Sequence, residues 1–216
     1  MASLSCLCLD RECSGVFRLL RALTVLYEEP VLVLESLPEI VLVRHAAATG
    51  QELDAPLSTE GYGQATKLAD VLLQLGIERI VSSPSRRALE SVEPFSRRAG
   101  LVIETDQRLT ERILSGRSLL DWREHLSRSF DDLDYCLEGG ESSRSAQERA
   151  TAAVVAASAG GKRCVLVTHG NLLALILRSV DQNVGYDVWS RISNPDVFVI
   201  PKNDGRGRGF RRVWGS

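Results

Sequence analysis

Glu39-Ile40-Val41-Leu42-Val43-Arg44-His45-Ala46 and Cys164-Val165-Leu166-Val167-Thr168-His169-Gly170-Asn171 decide the fold. Each is a short apolar run that ends beside a histidine, in a chain of 216 residues with 3 histidines. Runs of this length without polar alternation read as strands buried on both faces, as in a parallel sheet covered by helices. Open α/β sheets bind ligands in the crevice at the carboxyl ends of their strands, so His45 and His169 are expected to share one site.

Strand and helix patterns alternate outward from these runs. After strand 39–44, a helix over 59–75 carries Ala65, Leu68, Leu72 and Leu75 on one face, with Ser58 as N-cap and Gly76 as stop. Strand 79–82 leads to a helix over 85–99 with an Ala88, Val92 and Phe95 stripe, an expected kink at Pro94, and Gly100 at its end. Strand 101–105 precedes an irregular stretch, 106–141, which holds Trp122, Phe130 and Tyr135 and is expected to contain one short helix. It is too long for a mere connection. An alanine-rich helix over 143–158 stops at Gly160-Gly161, strand 164–168 follows, and helix 170–179 is apolar almost all round, as a buried helix is. Residues 196–201 and 209–213 read as two strands joined through the Asn203-Asp204-Gly205 turn. The alternation predicts an α/β protein with a mostly parallel sheet and helices on both faces.

Residues 38–216 are expected to form one main domain, and residues 1–37 an N-terminal extension whose Val16, Leu19, Leu20, Leu23 and Tyr27 fit one helical face. Arginines interrupt its apolar part and Asp10 and Glu12 follow the start, a pattern unlike a secretory signal or a transit peptide. With 26 basic and 28 acidic residues the net charge is −2, so no global field draws the chain to nucleic acid or an anionic membrane. The cations Lys202, Arg206, Arg208, Arg211 and Arg212 near the carboxyl end lack an aromatic platform and read as a solvated hairpin. Five cysteines form no even framework, which favours a reducing, cytoplasmic setting. Cys6, Cys8 and Cys13 lack a fourth ligand, so no metal or other cofactor is expected. His125 stands in a polar segment and takes no role.

Arg44 stands beside His45, and Ser82-Ser83-Pro84-Ser85-Arg86-Arg87-Ala88 brings arginine to the end of a second strand. Leu109-Thr110-Glu111-Arg112 adds a carboxyl group beyond the third. In this order the parts resemble the histidine phosphatase superfamily, the phosphoglycerate mutase-like family, over residues 39–201. Arg44-His45-Ala46 matches its Arg-His motif, with Ala46 where most members have glycine. The Ser-Ser-Pro-x-x-Arg-Ala pattern aligns Arg87, and not Arg86, with the phosphate-binding arginine; Leu-x-Glu-Arg selects Glu111; Gly139 to Ser142 and Thr168 to Gly170 complete the set.

The resemblance implies a three-layer α/β sandwich and a phosphomonoester hydrolase acting on a small phosphorylated metabolite through a phosphohistidine. The residue types suit that chemistry. Phosphoryl transfer is catalysed chiefly by positioning and by fixed donors, and guanidinium offers a planar fork for two phosphate oxygens at any working pH. His45, kept neutral by nearby positive charge, attacks through one ring nitrogen while a backbone carbonyl holds the other. Glu111 serves as general acid and then base. His169, at a helix start, is expected to contact phosphate beside free backbone donors, and Gln51 stands where mutases place a phosphate-touching asparagine.

Two other readings remain open. Mutases of the family follow the Leu-x-Glu-Arg motif with an arginine pair and a tyrosine, whereas this chain has Ile113-Leu114-Ser115 and no Arg-Arg-Ser-Tyr-like segment before residue 141. A non-catalytic phosphate-binding module needs neither nucleophile nor acid. Substrate choice is assigned to the 106–141 insert over the site, with Trp122, Phe130 and Tyr135 as either pocket wall or core.

Overall fold

A computed structural model describes residues 37–202 and 209–215. Residues 1–36 of the expected N-terminal extension, with its cysteines, and the Asn203-Asp204-Gly205 turn with Arg206 and Arg208 lie outside the described residues.

Six strands form one sheet: β1 (Ile40–Arg44), β2 (Arg79–Ser82), β3 (Ile103–Thr105), β4 (Cys164–Thr168), β5 (Asp196–Ile200) and β6 (Arg211–Gly215), in the order β3-β2-β4-β1-β5-β6. β3, β2, β4 and β1 are mutually parallel, while at one side β5 runs antiparallel to β1 and β6 antiparallel to β5. The helices are α1 (Thr59–Leu73), α2 (Arg86–Ala99), α3 (Trp122–Asp131), α4 (Ser143–Ala157), α5 (Gly170–Arg178) and α6 (Tyr186–Ser190), with a 3₁₀ turn at Gln107–Leu109. Among the described residues no helix is long and apolar enough to cross a membrane.

Strand periodicity sorts the core into two layers. Val41, Val43, Ile80, Val165, Val167, Val197 and Val199 face α1 and α2, meeting Leu68, Leu72, Val92 and Phe95. Ile40, Leu42, Leu166, Phe198 and Ile200 face the opposite way, onto the alanines of α4, the leucines of α5 and Phe130 of α3. Side chains alternating across each strand thus fill both interlayer spaces, which is the predicted three-layer sandwich.

The caps at Ser58 and Gly100 fall where the sequence places them, whereas α1 ends at Leu73 with Gln74 as its cap, ahead of the expected stop at Gly76. Ser58 Oγ accepts from Gly61 N–H at 3.1 Å, and Gly100 ends α2 in the left-handed region (φ 67°) that glycine occupies without steric cost. Pro94 sits within α2 without ending it. β3 is shorter than expected, because Leu101 N–H still bonds the helix carbonyl of Ser96 and Val102 points outward, 81% exposed. In the insert Phe130 is core rather than pocket wall, and the Tyr135 hydroxyl lies 2.7 Å from His125 Nδ1. Trp122 meets Trp189 of α6 edge to face at 6.0 Å.

Candidate active site

β4 lies between β1 and β2, so three parallel strands end side by side. Arg44 is in register with Thr168, and His45 N–H donates to Thr168 O at 3.0 Å, setting His45 and His169 at adjacent strand ends with ring centroids 5.1 Å apart. Ser83 N–H bonds Val167 O at 2.8 Å, which brings the Ser-Ser-Pro turn to the same crevice. Both histidines are buried, at 6% and 1% exposure.

Helix α2 turns Arg87 inward and Arg86 outward, where Arg86 pairs with Glu90 at 2.7 Å. The Arg87 guanidinium reaches both imidazoles, its Nε 3.3 Å from His45 Nε2 and one terminal nitrogen 3.2 Å from His169 Nδ1. Guanidinium only donates, so both ring nitrogens are bare acceptors. The opposite nitrogens carry the protons: His45 Nδ1–H donates to Ala46 O at 2.7 Å, and His169 Nε2–H to Ser83 Oγ at 2.9 Å. Both rings are therefore neutral. Burial, more than the neighbouring arginines, holds His45 down at about 3, opposed by the Ala46 carbonyl; His169 is lowered by burial first and then by His45, Arg87 and Arg44. The expected cause, nearby positive charge, acts in the expected direction and is the smaller part.

Both arginines are anchored by backbone carbonyls. The second terminal nitrogen of Arg87 donates to Gln51 O at 3.1 Å and Glu52 O at 2.6 Å, and Arg44 donates to Ile192 O at 2.6 Å. Arg44 Nε is buried without a hydrogen-bond partner. Burial lowers both guanidinium pKa values, opposed for Arg44 by Glu111 and Asp196 and for Arg87 by Glu111 and Glu52. The Arg44 fork packs on Gly170, where an added Cβ would stand 3.0 Å from its central carbon. Gln51 enters the site through its main-chain carbonyl, while its side chain lies in an exposed residue.

Glu111 caps α5. Its Oε2 accepts from Asn171 N–H at 3.0 Å, and its Oε1 from Leu172 N–H at 3.0 Å and Arg112 N–H at 2.9 Å. This corrects the expectation that the α5 donors are free for an anion, because the carboxylate takes two of them. It also counts against Glu111 as a surface partner of Arg112, whose guanidinium instead binds Glu141 O at 2.8 Å and Ser129 Oγ at 2.7 Å. A carboxylate oxygen has two lone pairs. Oε1 has both committed and Oε2 keeps one.

Several site residues carry no motif of their own. Asn194 Nδ2 donates to His45 O at 2.8 Å, and Arg149 braces the Glu111 segment through Arg108 O at 2.6 Å, Thr110 O at 2.9 Å and a bidentate pair with Glu141. Among the described residues no group of three or more His, Cys, Asp or Glu side chains gathers as a metal site.

A family description, histidine phosphatase superfamily (branch 1), matches residues 40–207, and the chain belongs to that family of phosphatases and mutases. Among its relatives, the probable phosphoglycerate mutase GpmB of Shigella dysenteriae is 28% identical, over 70% of this chain and 77% of its own. A mycobacterial glucosyl-3-phosphoglycerate phosphatase, solved with inorganic phosphate, superposes with a TM-score of 0.66 at 25% identity, covering 83% of this chain and 97% of its own. YhfR of Bacillus stearothermophilus gives 0.64 at 25% identity, covering 82% and 95%.

Proposed function

We propose that the chain is a phosphomonoester hydrolase that acts on a small phosphorylated metabolite through phospho-His45. The observation that carries this reading is the tautomer of His45. With Nδ1–H held by the Ala46 carbonyl, the lone pair of Nε2 lies against Arg87, so nucleophile and phosphate clamp share one locus. A mere phosphate binder gains nothing from a bare imidazole nitrogen there.

The step balances as follows. The Nε2 lone pair bonds phosphorus, the ester P–O bond breaks, and the leaving oxygen takes a proton from Glu111 through Oε2. Glu111, now a carboxylate, removes a proton from water; the oxygen attacks phosphorus and the P–N bond returns its electrons to His45. Arg44 and Arg87 supply the fixed positive field for the equatorial oxygens, which leaves no charge-stabilising task to a metal. The phosphate dianion favours protonation of His169 at Nδ1, turning that nitrogen into a donor.

Hydrolysis is favoured over transfer because the stretch after Glu111 lacks the mutase arginine pair. Turnover of an aryl phosphate with and without chelator, and an acid-quench trap of labelled phosphoenzyme in wild type and His45→Ala, test the proposal. Labelling that persists in His45→Ala removes the nucleophile assignment; loss of turnover on chelation removes metal independence. Phosphoryl transfer to an added phosphoglycerate in place of phosphate release supports the mutase reading.

A further inference from the structure

Beyond the family-matched segment, which ends at residue 207, strand β6 sends one side chain back toward the site. Arg212 Nε donates to Asp196 Oδ1 at 2.8 Å, and a terminal nitrogen donates to Asp196 Oδ2 at 2.6 Å and to Ser193 Oγ at 3.1 Å. Asp196 opens β5, is 0% exposed, and stands in register with Arg44 across the antiparallel β1–β5 pair. Its carboxylate also accepts from Ser193 and Val197 N–H, both at 3.0 Å. The intervening 192–194 segment supplies the Ile192 carbonyl that holds Arg44 and the Asn194 amide that holds the His45 carbonyl.

A buried carboxylate demands a positive partner. Among the described residues, the cations that this sheet position offers Asp196 are Arg212, which takes it through a bidentate pair, and Arg44, which feels its field yet donates to a carbonyl and leaves Nε unpartnered. We infer that Arg212 is a positioning residue for phosphate binding: by neutralising Asp196 it keeps the Arg44 guanidinium uncommitted for the substrate, and it fixes the 192–194 segment that aims Arg44 and His45. The inference rests on the proposed phosphatase reading. It gives the carboxyl-terminal strand a task in the site that it does not line.

The test uses the full chain, inorganic phosphate titrated by calorimetry at low ionic strength, and KM and kcat on p-nitrophenyl phosphate, with near-UV circular dichroism as the check on folding. Arg212→Gln is expected to weaken phosphate at least tenfold and raise KM accordingly, because Asp196 then competes for Arg44. Asp196→Asn/Arg212→Gln, which removes both charges, is expected to recover phosphate affinity to within threefold of wild type; a merely structural Arg212 gives no recovery. Arg211→Gln, the exposed neighbour in β6, is expected to match wild type. Unchanged affinity in Arg212→Gln, or a loss that the double variant keeps, overturns the inference. If Arg212→Gln does not fold, Asp196→Asn and the double variant carry the comparison: they are expected to bind phosphate equally, and a tenfold further loss in the double variant overturns it. A wild-type protein that neither binds phosphate nor turns over the ester overturns the phosphatase reading itself, whereas wild-type binding with Arg212→Gln unaffected overturns the role of Arg212 alone.

Discussion

Glu111→Gln separates the cap that this carboxylate makes from the general-acid role proposed for it. In the folded protein Glu111 accepts three backbone N–H groups, two of them at the start of α5. An amide keeps one acceptor oxygen; placed at Oε1, it retains the Leu172 and Arg112 bonds and turns an NH₂ toward Asn171 N–H, donor against donor. Leaving one such buried group unsatisfied costs about 1–3 kcal/mol, and a chain of this size loses roughly 2–4 °C of Tm per kcal/mol. The expected fall is therefore roughly 2–12 °C. The chemical loss has a different signature. Removing a general acid costs about 10²–10⁴ in rate, but only where the leaving oxygen needs its proton. Because kcat/KM covers the steps through phosphoenzyme formation, a series of phosphate esters measured by kcat/KM should show small losses for p-nitrophenolate and losses toward the upper figure for alkoxides. Thermal unfolding and the ester series together decide the matter. An unchanged Tm refutes the capping role, and an equal loss across all leaving groups refutes the acid role.

Other outcomes follow from the same geometry. His45 and His169 are both lowered from the ordinary histidine value, His45 to about 3, so between about pH 6 and 4.5 the unfolded chain binds protons that the folded chain refuses. Stability is complete above the unfolded pKa and falls as the pH drops, by about 1.4 kcal/mol per pH unit for each histidine. Urea unfolding across that window should show the slope, and His45→Asn should reduce it by about half; a slope indifferent to both histidines contradicts the neutral pair. Arg87→Lys substitutes a point charge for a fork that touches both imidazoles and two carbonyls, and kcat/KM should drop about 10²–10³-fold, against which a drop under fivefold would tell. Gly170→Ala presses a methyl on the Arg44 fork at a helical position free of left-handed strain, so phosphate affinity should fall roughly tenfold, the equivalent of ~1.4 kcal/mol and within the usual cost of overpacking. Wild-type phosphate affinity would show that Arg44 does not need that contact.

The strand and helix order was legible because β1 and β4 are apolar on both faces, a pattern that only a covered sheet satisfies, and because Ser58 and Gly100 punctuate helices by local chemistry. β6 was misplaced by two residues, 209–213 in place of Arg211–Gly215. Its antiparallel register on β5 shifts between Val197 and Phe198, and periodicity over five residues carries no trace of that irregularity. Within the site, side chains with special chemistry announced themselves: Arg44, His45, Arg87, Glu111 and His169 converge as expected. Their anchors did not. Ala46, Gln51, Glu52 and Ile192 act through main-chain carbonyls, which every residue type possesses, so Gln51 was noticed for its side chain while the contact that the structure shows runs through its carbonyl. Glu111 was legible as a carboxylate and not as a cap, because its partners lie about sixty positions away.

The anchors also explain how a buried site keeps its positive charge. Two guanidiniums in a low-dielectric crevice would ordinarily be matched by carboxylates, and a matched pair has little field left for phosphate. Here Arg44 and Arg87 are gripped by carbonyls, which fix their geometry and leave their charge uncancelled. Of the carboxylates within electrostatic reach, Glu111 is committed to the N–H groups of α5 and Asp196 to Arg212, while Glu52 acts on Arg87 from an exposed position. Desolvation of two unmatched cations destabilises the folded chain, and a phosphate dianion relieves it on binding. Burial keeps the histidines neutral first, and the same imbalance adds to it, because an imidazolium would join the two guanidiniums in one crevice. The proposed clamp and nucleophile are in this way set by one electrostatic arrangement, and a substitution that lends Arg44 a carboxylate should weaken phosphate binding and ease protonation of His45 together.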